Sequence, residues 1–119
     1  MKKTVVIGAS ENPERYAYKA VVRLAAHGDE VVAVGLRDGT IGSIPITKEK
    51  NFIPGVDTVT MYVGKRNQPA WYDYILSLKP KRIIFNPGAE NEEFAAIARN
   101  NGIEVAEACT LVMLSVGNY

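Results

Sequence analysis

The reading of the whole chain turns on Thr4-Val5-Val6-Ile7-Gly8-Ala9-Ser10-Glu11-Asn12-Pro13-Glu14-Arg15. Its first four residues are all β-branched and show no polar alternation, the pattern of a strand buried on both faces. Gly8 ends the run. From Tyr16 to His27, the residues Ala17, Ala20, Val21, Leu24 and Ala25 recur at helical spacing, and Gly28 supplies the stop. Pro13 belongs in the first turn of that helix or just ahead of it. A buried strand, a turn of small residues and a helix make the opening of an α/β fold.

Outward from this unit the alternation continues. Val31-Val32-Ala33-Val34 reads as a second strand ended by Gly35. Leu36 to Pro54 is rich in Gly, Pro and Thr. It reads as a loop holding a small hairpin or a lone strand, with Asp38-Gly39 as its turn signal. Thr58 to Val63 is the third strand. Asn67-Gln68-Pro69 opens a helix that Pro80 closes. Ile83-Ile84-Phe85 is the fourth strand, stopped by Asn86-Pro87-Gly88. Glu92 to Asn100 is a helix, Ile103-Glu104-Val105 a short edge strand, and Cys109 to Leu114 an ambiguous segment with a short helix as one reading. This order predicts a Rossmann-like α/β fold, an open parallel sheet of about five strands with helices on both faces.

A chain of 119 residues is the size of one domain, so residues 1–119 are expected to form a single one. The formal net charge of +1 gives no reason to expect nucleic acid or an anionic membrane as partner. No apolar stretch reaches the ~18 residues of a membrane helix, and no signal peptide is evident after Met1-Lys2-Lys3. The lone Cys109 excludes an internal disulfide and fits a cytoplasmic setting.

Right-handed crossovers place the first strand mid-sheet and gather the loops after the strands at the carboxyl edge. Four loops should converge there, over residues 8–15, 35–37, 63–67 and 86–89. The first carries most information. Gly8 turns without a Cβ penalty, and Ala9 and Ser10 are small enough for a ligand to approach the backbone. The helix behind them offers unpaired N–H groups and the positive end of its dipole, which suit a phosphate. Ser10 adds a hydroxyl and Arg15 a charged fork. The dinucleotide fingerprint G-x-G-x-x-G is not met, and Gly35 stands where an NAD site wants an acid. Arg37 instead suits a ribose carrying an extra phosphate. NAD is disfavoured; NADP remains an alternative.

Gly8-Ala9-Ser10-x-x-Pro13-x-Arg15, the helix ending His27-Gly28, and Val31 to Val34 resemble the small CoA-binding domain proteins. These are similar to the amino-terminal domain of the succinyl-CoA synthetase α subunit and of ADP-forming acyl-CoA synthetases. Pro87-Gly88-Ala89-Glu90-Asn91-Glu92-Glu93, with Ala98, Asn101-Gly102-Ile103 and Cys109, resembles the same family's second half. The resemblance implies coenzyme A lying across the carboxyl edge of the sheet. By position, Gly8, Ala9, Ser10 and Arg15 would meet the phosphates. Gly35 and Arg37 would lie near the adenosine, and Asn86, Pro87 and Gly88 would flank the pantetheine arm. Family members usually carry Asn-Pro after the second strand, where this chain has Gly35-Leu36.

Other candidates have plainer readings. His27 fits a cap at a helix C-terminus. Cys109 reads as a buried, inert thiol, with a mixed disulfide to CoA as the alternative. Glu90, Glu92 and Glu93 complement a helix dipole. Lys79, Lys81 and Arg82 read as a solvated loop, with a phosphate contact as the minor alternative. Trp71, Tyr72 and Tyr74 fall in one helix and read as core. No catalytic residue and no metal ligand is assigned. The expected function is a CoA or acyl-CoA binding module without catalysis of its own. The alternatives are an NADP-using enzyme, or a regulatory or scaffolding partner of a separate acyl-CoA enzyme with an apolar patch near Trp71 or Tyr119. A homo-oligomer is also compatible.

Overall fold

A computed structural model describes residues 2–119. Seven strands form one sheet: β1 (Lys3–Ile7), β2 (Glu30–Val34), β3 (Gly39–Ile41), β4 (Ile44–Thr47), β5 (Thr58–Met61), β6 (Arg82–Phe85) and β7 (Glu104–Glu107). Their spatial order is β3-β4-β2-β1-β5-β6-β7, with every pairing parallel except β3 with β4. The helices are α1 (Tyr16–His27), α2 (Tyr72–Leu78), α3 (Glu92–Asn100) and α4 (Thr110–Val116). A 3-10 helix, Lys65–Trp71, leads into α2.

Helices cover both faces, as the alternation predicts. Along β1, Val5 and Ile7 enter the cluster closed by α2 and α3, and Val6 enters the one closed by α1 and α4. All three are fully buried, which explains an apolar run with no alternation.

Three expectations need correction. The sheet has seven strands rather than five, because the hairpin β3–β4 joins it. Ala33 pairs with Ile46 and Val34 with Thr47, so β4 extends the parallel order and β3 becomes the edge. The two-residue turn of that hairpin is Gly42-Ser43, with Gly42 at φ +60, and not Asp38-Gly39. Asp38 instead accepts the Lys48 N–H at 2.9 Å and ties the base of the hairpin. The third strand, β5, ends at Met61, two residues earlier than the apolar run, although the Tyr62 N–H still donates to the Ile7 carbonyl at 2.9 Å. The segment after Cys109 is a short helix.

Candidate functional site

The chain runs outward from β1 through β2 to the hairpin, then returns to β5 on the other side of β1. Strand order therefore reverses between β1 and β5, and ligands of open α/β sheets bind at the carboxyl ends there. The loop after β1 and the loop after β5 meet at that point. Gly8 sits at φ +97, and a Cβ on it would lie 3.2 Å from the Tyr62 carbonyl carbon and from the Val63 methyl. Only glycine serves both the conformation and the crossing.

The loop then rests on the end of β2. The N–H groups of Gly8 and Ala9 both donate to the Val34 carbonyl, at 2.9 and 3.1 Å. These two residues therefore offer a ligand bare backbone surface and not donors. Gly35, directly below, is buried, and a Cβ there would overlap the Ala9 carbonyl oxygen. It is a packing glycine that lets the loop sit down. The Glu11 carboxylate reaches across to accept the Thr40 N–H at 2.9 Å, pinning the loop to β3.

Beyond Ala9 the chain opens outward. Ser10 is half-buried, and its Oγ accepts the Asn12 N–H at 3.1 Å, which leaves the hydroxyl proton free to donate. Pro13 lies just ahead of α1, in a turn closed by Arg15 N–H donating to Asn12 O at 3.0 Å. Arg15 is the N-cap of α1, in extended conformation. No side chain caps this helix and no acid stands in its first turn. The contrast is α3, where Asn91 accepts the Phe94 N–H and Glu92 and Glu93 occupy the first turn. The positive end of α1 is thus left uncompensated beside an exposed arginine. Arg37, on the loop after β2, is exposed and forms no ion pair among the described residues.

The remaining wall comes from the loop after β6. Pro87 and Gly88 are exposed, with Gly88 at φ +90. Asn86 is not available to a ligand. It is 1% exposed, donates to Thr60 Oγ1 at 2.7 Å and to Met61 O at 2.9 Å, and accepts the Thr110 N–H at 2.9 Å. It locks β6, β5 and the start of α4 together.

Four polar residues that sequence reasoning missed hold these loops. Gln68, fully buried, donates to Val63 O and Ala89 O and accepts from Asn91 Nδ2 at 2.9 Å. Asn91 also donates to the Tyr72 hydroxyl at 2.8 Å. Thr60 and Thr110 join their hydroxyls at 2.8 Å. For Thr60 and Thr110 the available signal was a polar residue inside an otherwise apolar element, which must find a partner when buried; Gln68 and Asn91 lie in polar stretches that carry no such mark.

Among the described residues, Tyr62 Oη and Arg82 Nη2 are exceptions. The Tyr62 hydroxyl is buried with no hydrogen-bond partner among the described residues, while the nearby threonine hydroxyls serve each other and Asn86. Burial pushes the phenol up to about 12; the neighbouring Cys109 thiol adds to this, and the Thr110 and Thr60 hydroxyls pull back. Cys109 itself is half-buried at the N-cap of α4, more accessible than a core thiol. His27 stands apart, 2.9 Å from Asp29 Oδ2 at the end of α1. Trp71 and Tyr74 are buried in the core, so Trp71 offers no surface patch.

No curated protein matches the chain. Solved structures do. One, described as that of an uncharacterised protein, is 53% identical with a TM-score of 0.98, covering 100% of this chain and 98% of that one. A Thermus thermophilus protein is 20% identical with a TM-score of 0.87, covering 99% and 90%. A hypothetical protein from Pyrococcus horikoshii is 20% identical with a TM-score of 0.87, covering 97% and 82%. The last two share the fold. The family model described as a CoA binding domain matches residues 2–115, nearly the whole chain. With a Rossmann-like sheet and an uncapped helix start at its switch point, the chain belongs to the CoA binding domain family.

Proposed function

We propose that this protein binds coenzyme A or an acyl-CoA across the carboxyl edge of its sheet, and does no chemistry of its own. Family membership supports coenzyme A in general. The observation that carries the finer reading is the bare start of α1, with Ser10 and Arg15 beside it. The pyrophosphate would take the first-turn N–H groups, the Ser10 hydroxyl and the Arg15 guanidinium. Gly8, Ala9 and Pro13 shape that cradle. The adenosine end would pass over Gly35, with Arg37 placed for the ribose phosphate. The pantetheine arm would run by Pro87 and Gly88, on a loop that Asn86 holds rigid. Bound coenzyme A supplies a thiol that carries acyl groups; the chain's own residues bind and orient it.

Calorimetric titration with CoA, acetyl-CoA, dephospho-CoA, NADP and NAD tests this reading. Both CoA species should bind, dephospho-CoA more weakly through loss of the Arg37 partner, and NAD not at all. Absence of heat with CoA and acetyl-CoA at millimolar concentration overturns it. Preference for NADP moves the assignment to the runner-up.

A further inference from the structure

We propose that a second ligand, a small anion carrying a flat apolar ring, binds in the cleft at the amino-terminal edge of the sheet, opposite the nucleotide loop. The cleft lies between the start of β1, the approach to β5 and the turn from α2 to β6, and its volume is about 820 Å³. That is the size of small-molecule sites, which run from about 300 to 1,000 Å³.

Its charge is lopsided. Lys2, Lys3, Lys79 and Lys81 line it against two carboxylates, Glu30 and Asp57. This excess of two positive charges exceeds the +1 of the entire chain. The lysines divide into two kinds. Lys3 is committed to the Pro54 carbonyl at 2.7 Å and to Glu30 at 3.6 Å, and Lys2 to the Tyr119 backbone oxygen. Lys79 and Lys81 make no side-chain hydrogen bond or ion pair among the described residues. Two unspent ammonium groups separated by one proline suit a phosphate or carboxylate better than a neutral ligand.

The apolar half of the site is Phe52, which lines the cleft with 67% of its surface exposed. Its exposed ring gives an aromatic ligand a face to stack on beside the two free ammonium groups.

Lys79 adds a further mark. It is the one non-glycine residue with positive φ among the described residues, at φ +49 and ψ +53. Glycine would close α2 there with about 1 kcal/mol less strain. A lysine also complements the dipole at the end of α2, so the decisive reading is ligand binding and not stability.

The experiment is a titration of the isotope-labelled protein with phenyl phosphate followed by NMR, with inorganic phosphate and benzyl alcohol as the two half-ligands. Amide shifts should cluster at Phe52, Lys79 and Lys81, with phenyl phosphate about tenfold tighter than either half, a difference of about 1.4 kcal/mol. Lys79→Gly combined with Lys81→Gln should weaken binding at least about tenfold while leaving Tm equal or higher, because the glycine relaxes the backbone. Phe52→Ser should reduce phenyl phosphate to the affinity of inorganic phosphate. Silence at these amides at about 10 mM ligand, shifts confined to Ser10 through Ala17, or undiminished binding by the double variant would each overturn the proposal. CoA binding by all these variants should be unchanged, which separates this cleft from the carboxyl edge.

Discussion

Replacing Gly35 by alanine tests how the first loop is seated. Gly35 has no positive φ, so the methyl costs nothing in backbone conformation and its whole effect is steric. The methyl would lie 2.3 Å from the Ala9 carbonyl oxygen and 3.3 Å from the carbon bearing it, and crowd the Ile46 methyl at 3.2 Å. The first obstacle is main chain, which no rotamer change removes, so the loop must lift. Overpacking of this kind costs about 1–3 kcal/mol. Lifting also stretches the two bonds from Gly8 and Ala9 to Val34, each worth about 0.5–1.5 kcal/mol. The sum should be about 3 kcal/mol, or about 12 °C in Tm at about 4 °C per kcal/mol for a chain of this size. Urea unfolding should show a lower midpoint at unchanged slope. CoA affinity should fall at least about tenfold because the cradle is displaced. Gly28→Ala is the control: its Cβ meets open space, and only φ +96 penalises it, by about 1 kcal/mol. If Gly35→Ala unfolds within about 0.5 kcal/mol of the parent, the loop does not ride on β2 as described.

Asn86→Ala should destabilise by about 2 kcal/mol in the same denaturation assay, because it leaves the buried Thr110 N–H without its acceptor and takes one of two partners from Thr60 Oγ1 and from Met61 O; Asn86→Asp, which puts an acceptor where two donors are needed, should not rescue it. Arg15→Ala should leave Tm unchanged, since the side chain is exposed and caps nothing, yet weaken CoA about tenfold by calorimetry. Tyr62→Phe should be neutral or stabilise by up to about 1 kcal/mol, because it deletes a buried hydroxyl without a partner. The Tyr62 phenol is raised in the fold from 10.0 to about 12, so the folded state holds its proton more tightly. Stability is then complete below pH 10 and lost as pH rises toward 12, and a pH series of melts should show that loss reduced in Tyr62→Phe.

Much of this was legible because local rules and the tertiary fold agree. β1, β2, α1 and α3 lie where unbroken β-branched runs, helical spacing and the Gly28 stop put them. The segment after β2 was legible as a small hairpin or a lone strand, but neither its turn at Gly42-Ser43 nor its pairing to β2 was. That pairing includes the Thr47 carbonyl, at the end of β4, accepting the Gly35 N–H just past β2, a contact between distant strand ends that no periodicity encodes. The site divides in the same way. Gly8 through Arg15 announces itself as a turn of small residues before a helix. Which amides remain free depends on where the Val34 carbonyl points, and that is visible only in three dimensions. Asn86 was assigned to the ligand on its place in the chain, yet its partners 24 to 26 residues away consume it. Gln68 and Asn91 escaped notice for the same reason.

The most direct measurement is a crystal structure with coenzyme A at saturation. The account predicts pyrophosphate density within hydrogen-bond distance of the Ser10 hydroxyl and the first-turn N–H groups of α1, with Arg15 turned onto it. Density for the cofactor elsewhere, with the start of α1 still facing solvent, would contradict it.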